Sequence, residues 1–270
     1  MSDPNQMTFL EHLEELRWRI IKAAIAILLF AIIAFIFKGI VFDQIILAPR
    51  DTDFITYRFF CKISMILGLD DSLCLQSTFN LQNITMSGQF TSHILVSFVA
   101  GLIVSFPYVF YQFWAFIIPG LNPNEKTTAR GAVVATSFLF MAGICFGYFL
   151  ISPLSVQFLG GYRVSEQVDN IIALNSFITT VTMTTLSGGL VFQLPVVVYF
   201  LAKLGLVTPE TLKQYRRHSI VAVLILSAVI TPPDITSQIL VSLPLILLYE
   251  VSIHIARIVV RNERKKQVSA

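Results

Sequence analysis

Charge is what the 270-residue chain has least of. Aspartate, glutamate, lysine and arginine make up 13% of it, about half the roughly 25% of an average soluble domain. With 55% hydrophobic residues and a mean hydropathy of +0.75, that shortage makes the bilayer the expected solvent. Histidine is sparse as well. His12, His93, His218 and His254 fall at separate places along the chain, so no catalytic constellation, metal site or cofactor is expected. A net charge of +3 without interleaved basic and aromatic residues gives no sign of a nucleic-acid surface. The first apolar run follows Asp3, Glu11, Glu14 and Glu15 and has no small-residue cleavage site, unlike a secretory signal peptide. The first helix is therefore expected to stay in place. Ionisable residues inside the apolar runs are few. Glu250 is the main one, with the amide Gln193 beside Pro195 as the other polar candidate, which argues against an ordinary ion-coupled permease.

What remains is apolar and segmented. Runs at 20–37, 94–110, 131–151, 177–202, 219–230 and 239–255 predict about six transmembrane helices in a single membrane domain over 1–270, an all-α polytopic fold. Six spans put both termini on one side. Fourteen Lys and Arg fall on that side and five on the other, so the termini and the loops 111–130 and 203–218 are expected in the cytoplasm. The interval 38–92 becomes an outer loop, with one or two short helices at the interface. Cys61 and Cys74 lie there, and two readings stay open: a disulfide, or two free interfacial cysteines. Cys145, in the third span, reads as a packing residue.

The last two spans are expected to be short. Ser219 to Thr231 covers only about 20 Å at 1.5 Å per residue, against a hydrocarbon core of roughly 30 Å. Thr231-Pro232-Pro233-Asp234 then turns the chain back, because paired prolines stop a helix and Asp234 can cap the next.

Two cytoplasmic segments carry the remaining chemistry. In Glu11-His12-Leu13-Glu14-Glu15-Leu16-Arg17-Trp18-Arg19, helical spacing puts Glu11 and Glu15 on one face and turns Glu14 about 100° from Glu15. One carboxylate can pair within the helix while another looks outward. In the second segment, Trp114-Ala115-Phe116-Ile117-Ile118 meets Pro119-Gly120, and Asn122-Pro123-Asn124-Glu125 supplies a cap and an isolated acid. A carboxylate beside aromatic surface suits a guanidinium. Plainer readings stand beside these: a topology-fixing flank for the first segment, a loop acid or cap for Glu125, an interhelical hydrogen bond for Gln193.

The segment Phe9 to Arg19 resembles the opening signature of the TatC family, the large subunit of the twin-arginine protein translocase. The likeness continues through Ala48-Pro49, the stretch Phe106 to Leu121 with the following Glu125, and Thr231-Pro232-Pro233-Asp234. The resemblance implies a non-enzymatic receptor in the bacterial inner membrane. It would bind twin-arginine signal peptides of folded precursors, associate with itself, and recruit small single-span partners of the TatA/TatB type for export driven by the proton-motive force. Carried over residue by residue, it assigns signal-peptide binding to Glu15, Arg17, Phe116 and Glu125, and motif positions to Leu16, Pro49, Pro119 and Asp234. The chain departs from the family in having Gln193 where a glutamate is often found, and in a long first outer loop.

Overall fold

The computed structural model describes residues 9–67, 79–117, 126–165, 167, 170–231 and 235–269. Among them the chain is helical almost throughout: α1 (Phe9–Ile36), α2 (Ile55–Leu67), α3 (Gly88–Ile117), α4 (Lys126–Phe146), α5 (Ser152–Gly161), α6 (Leu174–Val191), α7 (Leu194–Lys203), α8 (Pro209–Gln214), α9 (Arg216–Ile230) and α10 (Ile235–Ser269). Among the described residues five stretches are long and apolar enough to cross a membrane: His12–Ile36, Gly88–Phe116, Gly131–Gly161, Leu174–Lys203 and Gln238–Asn262. The protein is thus a polytopic helical membrane protein. The expected fifth span falls below that length, because α9 has 15 residues.

The sixth differs from expectation. Its apolar stretch, Gln238–Asn262, has 25 residues rather than the short run expected, and α10 around it is a 35-residue helix. No glycine or proline follows Pro244 to stop it, so the helix continues through Arg257 and Arg261 into polar sequence. The all-α expectation also needs one small addition. β1 (Asn80–Gln82) and β2 (Ile171–Ala173) pair in parallel, with Leu81 opposite Ile172.

The chain divides into two compact units, 1–44 with 90–138, and 45–89 with 139–270. In the first, α1 and α3 run antiparallel, a register read from four contacts. His12 stacks on Phe116 with centroids 4.3 Å apart, and Arg19 Nη1 donates to Gln112 Oε1 at 3.4 Å. A Cβ on Gly101 would meet Ile27 O and Ala31 N at 2.7 and 2.6 Å. His93 stacks on Phe35 at 3.8 Å, and its Nε2 lies 3.1 Å from the Phe35 carbonyl oxygen. Glycine at 101 lets the two backbones touch where any side chain would hold them apart.

The second unit is built on a similar approach used twice. A Cβ on Gly143 would lie 2.5 Å from Gly188 O, and one on Gly188 would lie 2.6 Å from Gly143 O. Gly147, where α4 loosens into a π-helical turn (Gly147–Ile151), sits against Thr184 and Thr185 in the same way. Beside this crossing Ile151, Val223, Val241 and Leu245 form a buried cluster, and Ala202, Ala256 and Val259 form a second where α7 packs on α10. The fourth span is broken between α6 and α7, where Pro195 offers no backbone N–H to the preceding turn. Gly205 closes α7 at φ +73, a conformation that glycine adopts without steric cost.

Candidate functional site

The site is built where α1 begins and α3 ends. Glu15 and Arg19 are one helical turn apart, so their side chains meet. Arg19 Nε and Nη2 both donate to Glu15 Oε1, at 2.9 and 2.5 Å. Arg19 also reaches Gln112 on α3, itself buried, so the guanidinium is tied at both sides. Glu15 Oε2 is buried and has no hydrogen-bond partner among the described residues. Leaving a buried carboxylate oxygen unmet costs on the order of 1–3 kcal/mol, and a donor arriving there recovers it. The expectation that one acid pairs within the helix while another looks outward is met: Glu15 pairs and Glu14 is exposed.

Aromatic surface lies on the same helix pair. Phe116 is half-buried and stacked on His12, and Trp114 is 2% exposed. Arg17 is exposed, one residue from half-buried Leu16. Glu125 and Pro119 lie outside the described residues, as do Asp234 and Cys74. Arg19, Gln112 and His12 were not singled out by the sequence reading as parts of this arrangement. The spacing of Glu15 and Arg19 signalled the first. A lone amide in the apolar run Tyr111-Gln112-Phe113 was the available sign of the second.

The remaining candidates sit in the second unit. Pro49 is buried in a 3₁₀ turn (Ala48–Arg50), and its carbonyl accepts the Tyr57 hydroxyl at 2.8 Å. Gln193 occupies the break between α6 and α7, with its amide nitrogen 3.5 Å from Gly189 O. Glu250 is not an isolated acid: both its oxygens engage Arg216, at the start of α9. That hydrogen bond, and then the Glu250 charge, raise the Arg216 pKa above its ordinary value. Cys61 is disulfide-bonded, and Cys145 is free. A cavity of about 760 Å³ is lined by hydroxyls of α6, among them Ser176, Thr180 and Thr184, and by Val229 to Thr231. No group of metal-ligating side chains occurs among the described residues.

Comparison with known proteins gives one answer from three directions. The family model for TatC, Sec-independent protein translocase protein, matches residues 11–244. A Sec-independent protein translocase protein TatC from Blattabacterium sp. subsp. Periplaneta americana (strain BPLAN) is 40% identical over 257 residues, 94% of this chain and 97% of that protein. TatCy of Bacillus subtilis (strain 168) is 31% identical over 98% of this chain and 94% of its own length. A crystal structure of the twin-arginine translocase receptor TatC in DDM superposes with a TM-score of 0.71 at 31% identity, covering 92% of this chain and all of that one.

Proposed function

From the premise that this chain belongs to the TatC family, and so is a core membrane component of the Sec-independent twin-arginine protein translocase, we propose that its α1–α3 end reads the paired arginines of a signal peptide. The observation that carries this reading is Glu15. Its Oε1 is held by Arg19, its Oε2 is buried without a donor among the described residues, and Phe116 stacks nearby on His12. A guanidinium of the peptide completes the second oxygen and packs its flat face on aromatic surface, which suits arginine better than lysine. Glu125, a few residues beyond the end of α3, takes the other arginine, and Arg17 steers the exposed edge. Leu16, Pro49, Pro119 and Asp234 are motif positions to which no peptide contact is assigned. Gln193 and Glu250 serve packing and pairing, not proton transfer.

The same reading places the chain as one membrane domain in the bacterial inner membrane, both termini in the cytoplasm. It acts there on folded precursors with a second copy of itself and with small single-span TatA/TatB-type partners. The excess of Lys and Arg on the cytoplasmic loops supports that orientation. The test is site-specific crosslinking of the purified complex to a twin-arginine precursor and to its Lys-Lys variant. Wild type favours the arginine form, and Glu15→Lys with Glu125→Lys lowers that yield at least about tenfold, as expected for losing charge-assisted hydrogen bonds of roughly 1.5–3 kcal/mol. Unchanged crosslinking in the double variant removes both assignments.

A further inference from the structure

We propose that the outward face of α2 binds an anionic phospholipid, its headgroup phosphate held by Arg58 and Lys62 and its acyl chains by Ile55, Phe59 and Ile66. The juxtaposition follows from helical spacing. Ile55, Phe59 and Ile66 share one narrow stripe, and Arg58 and Lys62, four residues apart, flank it on one side. The stripe is bare: Ile55, Phe59 and Ile66 are 66%, 60% and 83% exposed. Both cations are exposed, and neither has an ion-pair or hydrogen-bond partner among the described residues. The helix itself carries no acid; Asp51 and Asp53 precede it.

The opposite face is pinned. Tyr57 donates to the carbonyl oxygens of Pro49 and Pro153 at 2.8 and 3.2 Å, and Thr56 donates to Phe149 O. Those contacts fix both the direction and the depth of the exposed stripe. Phe149 and Pro153 belong to the outer part of the apolar stretch Gly131–Gly161, within about 12–18 Å of its end at Gly161 at 1.5 Å per residue. The stripe therefore sits at the boundary between acyl chains and headgroups. Apolar residues facing the chains with flanking Arg and Lys reaching for phosphate is the arrangement that boundary favours. A soluble partner would leave the stripe's depth unexplained, and a zwitterionic lipid would leave the paired cations without their complement.

The inference rests on the membrane reading but not on the peptide-reading role of Glu15. The full-length chain, purified in detergent, is titrated with phosphatidylglycerol and separately with phosphatidylcholine, and bound lipid is counted by native mass spectrometry. Wild type retains phosphatidylglycerol preferentially. Arg58→Gln with Lys62→Gln weakens it about thirtyfold, the effect of two cations at about 1 kcal/mol each, and abolishes the preference; Arg58→Lys with Lys62→Arg keeps it. Phe59→Ser with Ile66→Ser weakens both lipids. A glutamine pair that retains the wild-type preference overturns the proposal. So does displacement of the lipid by glycerol phosphate at equal concentration, which would mean a site for soluble anions. Twin-arginine crosslinking in the glutamine variants stays at the wild-type level, so failure here leaves the receptor reading standing, and the reverse holds as well.

Discussion

The α1–α3 pair and the α4–α6 crossing are both made by glycine, yet they differ in what surrounds the contact. None of the first span's apolar window is buried, whereas a third of the third span's is. Between α1 and α3, one glycine approach at Gly101 is flanked by polar and aromatic bridges at either end: His12 with Phe116, Arg19 with Gln112, His93 with Phe35. The α4–α6 crossing has reciprocal glycines packed among Ile144, Phe140 and Phe192. In lipid, apolar surface gains little by moving from acyl chains to another helix, so close packing must hold the core. The first pair is tuned at its ends; the second is fixed in its middle.

Substitutions can break that contrast in order of severity. Gly188→Leu puts a side chain against the Gly143 carbonyl and the Gly147 backbone, neither of which can give way. The expected cost is about 3 kcal/mol or outright failure to fold, read as loss of the monodisperse peak in thermal size-exclusion measurements. Gly101→Leu pushes α1 from α3 at one point only. Its melting temperature should fall less than that of the Gly188 variant, while twin-arginine crosslinking falls several-fold because Arg19 and Gln112 no longer share a register. Equal losses of stability from the two leucines would erase the distinction between a tuned pair and a fixed core. At the small end, Glu250→Gln removes an exposed ion pair and should leave stability almost unchanged, visible only as a slight shift in the melting curve.

How far the sequence carried the reading depends on the kind of feature. The five long apolar helices were legible because apolar run length is a direct requirement of the bilayer. The shortness of α9 was legible because Pro232 and Pro233 end it. The length of α10 was not, since the charges after Ile255 leave the membrane without ending a helix. Three-residue strands carry too little pattern to be seen, so β1 and β2 were missed. At the candidate site, Glu15 stood out by motif, and its pairing within the helix by spacing. Gln112 is 93 residues from Arg19, and only the antiparallel pairing of α1 and α3 brings them together. Glu250 stood out as an acid in an apolar run, but its partner was not legible, because Arg216 lies on a different helix.

The parallel ladder between Asn80–Gln82 and Ile171–Ala173 imposes a timetable on biogenesis. A parallel pair cannot close through a tight turn, and here the connection contains the whole of α3, α4 and α5. The first strand must therefore wait, unpaired, while two further spans are synthesised and inserted. Long-range closure of this kind comes late in folding, so the ladder forms only after those spans have been placed, and its closure marks that point in assembly.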